Sequence, residues 1–447
     1  MKVLFLECDA ERSWAVASIG PAFVAAFLRR HGVEVGFHRV TFDMTDEQIR
    51  SVVREHDPQL LALSMTTRQW LRGRDVVRVV RRAFDIPVIA GGLHPTFSAP
   101  EVLAHEGFDF VCLGEGEEVT LDLCRWLEQR GRDVPDGAIP NLWVKGGERP
   151  KLRPPFPNLD EMPFMARDLL DEQNGVYYMV TQRGCPFPCT YCAARTYADL
   201  YEGFGDYGRR RSHGNVLDEL FLLERTGGVN YVIFLDDTFT IQRRWVLEFC
   251  RIYGEKLAKP FSLHARVETV SADVLKALAK AGCNQITYGV ESGSVRVRRE
   301  VMRRPVTNER FKDVFKWTED AGIRVTANFM MGLPGETRDD LEQTLTLCEE
   351  LDVTDFGYFV FYPYPGTQLF HECLEKGYLP QNYYELPANH RESILRLPDL
   401  TREDIHEFYD RFTALRQRIY AKRYGWTLEE LTAKGVTAEL SESAAVG

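Results

Sequence analysis

Val176-Tyr177-Tyr178-Met179-Val180-Thr181 runs straight into Gln182-Arg183-Gly184-Cys185-Pro186-Phe187-Pro188-Cys189-Thr190-Tyr191-Cys192. The first six residues are β-branched or aromatic for the most part and predict a strand. The segment that follows cannot continue it. Gly184 tolerates conformations closed to other residues, and Pro186 and Pro188 fix their own dihedrals and donate no backbone hydrogen bond. The sequence therefore predicts a loop at the end of a strand, with three thiols close enough to share one inorganic centre. A structural zinc ion takes four protein ligands. No fourth Cys or His lies nearby, the closest candidate being His213. A cubane iron–sulfur cluster held by three thiolates leaves one iron open to a further ligand.

Working outward towards the C-terminus, the strand Val176–Thr181 is followed by strands predicted at Tyr231–Leu235, Ser262–Ala265, Gln285–Gly289, Val325–Met330 and Phe356–Phe361. Helical periodicity fills the gaps at Asn215–Thr226, Arg244–Lys256, Ala272–Ala281, Asn308–Ala321 and Thr337–Leu351. Six strand–helix units over residues 171–367 predict a partial TIM-type (β/α)6 barrel. The strands stop near Gly366. A C-terminal helical region is expected over 368–433 and a disordered polar tail over 434–447.

Towards the N-terminus the same alternation recurs. Strands are expected at Val3–Leu6, Val33–His38, Leu60–Ser64, Pro87–Ala90 and Phe110–Leu113. Helices are expected near Pro21–Arg30, Thr45–His56, Gln69–Ala83, Ser98–His105 and Glu117–Arg130. The fold class is thus α/β throughout, with a doubly wound parallel sheet over 1–132 whose ligands gather at the C-terminal strand ends. Residues 133–170 hold seven prolines (Pro135, Pro140, Pro150, Pro154, Pro155, Pro157, Pro163) and read as a linker with one small hairpin around Leu142–Lys145.

Composition narrows the function. The 447 residues are 44% hydrophobic and 27% charged, as in an ordinary globular protein, and carry a formal net charge of -11. That charge argues against duplex DNA or other nucleic acid as a partner. The one dense basic run, Arg209-Arg210-Arg211, is long enough for a single anion contact on substrate or cofactor. Of ten cysteines, seven stand singly among apolar residues (Cys8, Cys112, Cys124, Cys250, Cys283, Cys348, Cys373) and read as small core side chains. The chain opens directly on a strand, and no long apolar stretch follows. The expected location is cytoplasmic, with no membrane span.

The C-x3-C-x2-C run with Tyr191 ahead of the last Cys resembles the signature of the radical S-adenosylmethionine (SAM) superfamily. The resemblance implies that Cys185, Cys189 and Cys192 bind a [4Fe–4S] cluster and that SAM chelates the open iron. It places Tyr191 near the adenine. Further residues follow successive strands where a barrel places its chemistry: Asp236 and Asp237 by the methionine amine, Arg266 and Glu268, then Gly289, Glu291 and Ser292 by the ribose, and Gly332 in the turn lining the pocket. A carboxylate such as Glu291 can accept from two vicinal hydroxyls at once.

The loops of the first sheet carry Ser64-Met65-Thr66, Gly91-Gly92-Leu93-His94-Pro95-Thr96 and Gly114-Glu115-Gly116-Glu117. They resemble the cobalamin-binding domain fused to one large radical SAM subfamily, the class B methylase-like group. The resemblance implies cobalamin contacts from Ser64, Met65, Thr66, Gly91, Gly92, His94, Gly114, Glu115 and Gly116. The chain lacks the Asp-x-His-x-x-Gly motif that supplies a cobalt-ligating His in many cobalamin domains, so no protein His is expected on cobalt. The implied activity is methylation of an unactivated carbon of a small molecule through methylcobalamin and a 5′-deoxyadenosyl radical. A carrier such as flavodoxin or ferredoxin would supply the electron. No residue is assigned a direct catalytic role. The alternatives are a cobalamin-dependent cyclase, oxidase or rearrangement enzyme, and a non-catalytic cobalamin or redox sensor. Aromatic residues near the C-terminus (Tyr362, Tyr364, Tyr378, Tyr383, Tyr384, Trp426) are candidates for substrate specificity.

Overall fold

A computed structural model describes residues 1–9, 18–205, 207–351, 353–427 and 429–430. The expected tail at 434–447 lies outside the described residues. The chain forms two compact units. The first comprises Met1–Asp171 with Thr196–Tyr207 and Tyr364–Gly366; the second holds the rest of the described residues.

The first unit is built on a sheet of β1 (Lys2–Cys8), β2 (Glu34–Val40), β3 (Leu60–Ser64), β4 (Val88–Gly91), β5 (Phe110–Cys112) and β6 (Leu142–Val144) in the order β2-β1-β3-β4-β5-β6. The first five are parallel. Their crossovers are α1 (Ile19–Arg30), α2 (Asp46–His56), α3 (Trp70–Arg81), the short pair α4 (Leu93–Phe97) and α5 (Ala99–Ala104), and α6 (Glu117–Arg130). Leu4, Leu6, Leu61, Leu63, Val88 and Ala90 meet Val76, Val77 and Val80 of α3 in one buried cluster. The strand order reverses between β1 and β3, so the crevice at the ends of those strands, beside Cys8 and Ser64, is the natural ligand position.

The expected hairpin around Leu142–Lys145 is instead a single strand added antiparallel to β5, with Phe110 opposite Val144 and Cys112 opposite Leu142. Three residues are too few to display a period, and the partner strand lies some thirty residues away. Neither feature is visible locally.

The second unit holds a parallel sheet of β7 (Val176–Met179), β10 (Tyr231–Phe234), β11 (Phe261–Ala265), β12 (Cys283–Glu291), β13 (Arg324–Met331) and β14 (Asp355–Val360), paired in that order. No β7–β14 pair closes it among the described residues, so the barrel is partial. A short antiparallel ribbon, β8 (Gln182–Arg183) with β9 (Arg209–Arg210), stands at the start of the cysteine loop. Between the strands run α8 (His213–Thr226), α9 (Arg243–Lys256), α10 (Ala272–Ala281), α11 (Asn308–Asp320) and α12 (Arg338–Glu350). Thr307 and Thr337 accept from backbone N–H groups in the first turns of α11 and α12 and so fix where those helices begin. Beyond the sheet come α13 (Gln368–Glu375) and α14 (Arg402–Tyr424). Phe412 and Tyr409 of α14 close the barrel core against Tyr358, with ring centroids 5.7 and 4.9 Å away. Two helices went unread in the sequence: the short α4, whose residues read as a loop, and α7 (Ala193–Leu200), which starts immediately after Cys192. No Ser, Thr, Asp or Asn precedes α7 to signal its start.

Candidate functional site

The cysteine loop is held in place from below. Asp236, at the end of β10, is buried. Its carboxylate accepts from Thr181 N (2.7 Å), Thr181 Oγ1 (2.7 Å) and Gln182 N (2.9 Å). These bonds consume the oxygens that a cofactor amine would need. Asp236 therefore fixes the approach to the loop instead of facing a ligand, a correction to its expected place. Burial raises its pKa, and the nearby Arg210 opposes the rise. Asp237 does face out. It is solvent-exposed, yet desolvation, with Asp236 adding repulsion, pushes its carboxyl up to about 6. A side chain both reachable by water and crowded by protein lines a recess.

Gly184 takes a φ of +89° where the chain turns into the loop. Cys185 and Cys192 are half-buried and Cys189 is buried. The three are free thiols. Burial pushes Cys192 up to about 12, with Asp237 and the other two cysteines adding repulsion. Among the described residues no three His, Cys, Asp or Glu side chains converge on a point as ligands of a single metal ion would. A cubane asks for something else: each thiolate binds a different iron, so the sulfurs need not meet. His213 stacks on Trp245, with centroids 4.8 Å apart, and its Nε2 pairs with the Trp245 carbonyl. Its ring is thus engaged on α9.

A ring of charge surrounds the thiols. Arg266 Nη1 donates to Cys189 Sγ at 3.0 Å, and its guanidinium lies 3.9 Å over the Phe187 ring. Its Nε donates to Glu268 at 3.2 Å. Arg304, almost wholly buried, sits 3.3 Å from Glu291 and 3.6 Å from Glu268. Its Nε and Nη2 have no hydrogen-bond partner. Burial alone would raise Glu268, but Arg304 and Arg266 hold it below the usual carboxylate range. Glu291 goes the other way: burial wins over Arg304 and the Tyr191 hydroxyl, and its pKa rises. Arg304 and Phe187 are the residues the sequence did not single out. Arg303-Arg304-Pro305 looks like any surface dibasic pair until the fold turns one of its members inward.

Glu291 carries a rare backbone conformation, φ +71°, at the end of β12, where the register to β13 also slips. A non-glycine residue there costs about 1–3 kcal/mol and persists where the surroundings demand it. A Cβ on Gly289 would lie 2.2 Å from Glu291 Oε1, so only glycine lets that carboxylate fold back. Ser292 was expected beside it at the ligand. It is fully buried, with Oγ 3.2 Å from Thr344 Oγ1, and it holds the loop against α12.

Gly332 (φ +82°) opens the turn after β13. Its N–H and that of Leu333 donate to Glu336 Oε2 at 2.6 and 3.1 Å. Glu336 is fully buried, and its other oxygen has no partner. Burial pushes its pKa up to about 8 despite those two N–H groups. A folded pKa above the unfolded one makes the carboxyl a growing liability as pH rises from about 4.5 towards 8. Glu336→Gln should therefore gain stability over the parent between pH 5.5 and pH 8, as read from denaturant midpoints at both. A difference that stays constant with pH would refute the buried, protonated acid.

Two other sequence candidates are already engaged. Arg211 is buried in an ion pair with Glu219 at 2.7 Å. Trp426 stacks on Tyr424 at 4.6 Å.

In the first unit the Gly91–Gly92 turn lies beside Ser64. Gly92 has φ +92°, and a Cβ there would press on Met65 N, Met65 O and Ser64 Oγ, all at 2.9 Å. Exposed Gly20, at the start of α1, lies across from Ser64: its Cβ would stand 3.9 Å from Ser64 Oγ. The result is a floor of glycine and serine at the switch-point edge, suited to a large flat ligand that needs the backbone close. Gly20 escaped the sequence reading because nothing in α1 marks it. Thr66 accepts and donates within a small cap with Gln69, Nε2 of which donates to the Cys8 carbonyl.

Three candidates on this edge turn inward. His94 is 3% exposed and stacks on Trp70 at 4.9 Å; burial lowers its pKa to about 3. It is a neutral core ring, because Gly92 reverses the chain and drives it under the loop. Met65 is buried against Gly73 and offers only backbone to the edge. Glu115 spends Oε2 on the Phe156 N–H at 2.8 Å, and Gly114 packs under Tyr201. Gly116 caps α6.

A profile of the radical SAM superfamily matches residues 179–348, from the end of β7 into α12. A B12 binding domain profile matches residues 14–123. The chain carries both domains. They imply a [4Fe–4S] cluster, SAM and cobalamin, and the residues present fit all three: three free thiols, one accepting from the Arg266 guanidinium, carboxylates at the strand ends beside them, and a glycine floor. An uncharacterized methyltransferase of Pyrococcus horikoshii is 29% identical over 406 residues, 87% of this chain and 84% of that one. The anaerobic magnesium-protoporphyrin IX monomethyl ester cyclase of Rubrivivax gelatinosus is 25% identical over 402 residues, 84% and 70% of the two chains. Among solved structures, the radical SAM methyltransferase TsrM of Kitasatospora setae, bound to cobalamin and a [4Fe–4S] cluster, matches with a TM-score of 0.70 at 18% identity, over 91% of this chain and 84% of that one. This last likeness is one of fold. No helix among the described residues is long and apolar enough to cross a membrane.

Proposed function

We propose that this radical SAM enzyme transfers a methyl group to an unactivated carbon of a small molecule. When bound, the reduced cluster supplies the electron that cleaves SAM, and cobalamin supplies the methyl group. The observation that carries the reading is the pairing of the Cys189–Arg266–Glu268–Arg304–Glu291 constellation with a glycine floor on a second sheet in the same chain.

In this reading the chain's own groups divide the work of binding. Glu291 accepts from the two ribose hydroxyls, held to that task by its strained backbone and by Arg304. Arg304, paired with both carboxylates, keeps Nε without a hydrogen-bond partner, a donor for an anionic end of SAM. Asp237, exposed in its recess, accepts from the ammonium. Arg266 donates to a ligand sulfur, which draws electron density off the thiolate and tunes the cluster potential. The glycine floor lets cobalamin sit against the backbone, and the buried His94 leaves the cobalt without a protein imidazole. Substrate contacts belong to the region beyond β14.

Anaerobic turnover with reductant, SAM and cobalamin tests the reading. S-adenosylhomocysteine and 5′-deoxyadenosine should accumulate together. Deoxyadenosine alone would favour the second reading, a cobalamin-dependent cyclase, which the likeness to the Rubrivivax gelatinosus cyclase over 84% of this chain supports. Cofactor binding without either product would mark a sensor and overturn both.

A further inference from the structure

The loop after β5 is gripped by a residue far from it in sequence. Tyr201, 1% exposed, stands one residue past the end of α7. Its phenol oxygen accepts from the Glu115 N–H at 2.8 Å. A Cβ on Gly114 would lie 2.1 Å from that oxygen and 2.8 Å from the ring carbon bearing it, and Gly114 also has φ +82°. Glycine alone meets both demands. Tyr201 is itself fixed. Tyr207 stacks on it at 5.2 Å with planes 10° apart, and Tyr197 stacks on Tyr207 at 6.1 Å. Phe97, the last residue of α4, meets Tyr197 edge-on at 5.1 Å. An aromatic column therefore joins the loop that follows Gly92 to the loop at Gly114. These are the loops of adjacent strands, about 5 Å apart, on the edge that carries the glycine floor.

We propose that Tyr201 is a positioning residue for cobalamin, one that holds the Gly114–Gly116 loop clear of the glycine floor. The inference rests on the first unit binding cobalamin. Without the phenol oxygen, the Glu115 N–H loses its acceptor in a partly buried loop, and the backbone must shift to recover one. Glu115 is pinned on its other side by the Phe156 N–H, so the shift falls on Gly114 and Gly116, the glycines that flank it in the loop after β5.

The test is equilibrium dialysis of hydroxocobalamin against the full-length, cluster-loaded protein, with iron content and thermal midpoint measured alongside. Tyr201→Phe keeps the ring and should weaken binding about tenfold with iron content and midpoint unchanged. Tyr201→Ala should weaken it roughly a hundredfold or more, with an altered absorbance spectrum for the cobalamin that remains bound. Unchanged affinity in both variants overturns the proposal. So does a loss in the Phe variant that merely follows falling midpoint and iron content, since Tyr201 is then a packing residue. If the parent protein binds no hydroxocobalamin, the cobalamin reading itself fails, and that outcome is distinct from either.

Discussion

Cys189→Ala should leave a chain that still takes up cobalamin but holds no stable cluster and forms no detectable 5′-deoxyadenosine. The effect is complete because no reserve ligand stands by. His213 is engaged by Trp245, and the other seven cysteines are buried. Cys189 also receives the Arg266 hydrogen bond, so its loss leaves a guanidinium at 11% exposure facing the gap. Iron and sulfide content after anaerobic reconstitution, with deoxyadenosine assayed in parallel, checks the outcome. Four irons per chain in the variant, with cleavage intact, would remove Cys189 from the ligand set.

Arg304→Met carries the second largest effect. The guanidinium is the shared counter-ion of Glu291 and Glu268, with its own side chain only 2% exposed. Removing one partner of a buried pair costs about 3–5 kcal/mol, because the remaining charge is stranded. The loss depends on pH. Arg304 helps to hold Glu268 below the usual carboxylate range, and that stabilisation is present above the unfolded pKa and fades as pH falls through the folded one. The deficit of Arg304→Met should therefore hold from neutral pH down to the unfolded carboxylate pKa and shrink only below it, as denaturant midpoints at pH 7.5 and about pH 3.5 would show. SAM affinity should fall as well, since Glu291 loses the partner that orients it. Arg304→Lys should not rescue, because one ammonium cannot address two carboxylates and a ligand from the same position. A variant as stable as the parent, with unchanged SAM affinity, would show that the pair is incidental.

Much of this was legible in the sequence, and for identifiable reasons. The three thiols lie within one loop, so their convergence needs no knowledge of the fold. Gly289, Glu291 and Gly332 stand at strand ends, which periodicity locates to within a residue or two. What escaped the sequence came from distant parts of the chain. Arg304 matters because a register slip in β12 and a buried turn bring it back over Glu291. Gly20 matters because α1 starts across from Ser64. Tyr201 matters because a helix with no capping signal delivers it to Gly114. Errors of the opposite kind share one cause. Asp236, Ser292, His94 and Glu115 are polar residues in the right loops, yet each is spent on its own backbone or core. Sequence marks the loop, whereas burial decides which of its side chains is free.

The most direct measurement is electron paramagnetic resonance of the reconstituted, reduced chain before and after SAM is added. A cluster held by Cys185, Cys189 and Cys192 keeps one iron open, so its spectrum should change on SAM binding, and Glu291→Gln should shift that change to higher SAM concentration. A reduced-cluster spectrum indifferent to saturating SAM would contradict the account at its centre.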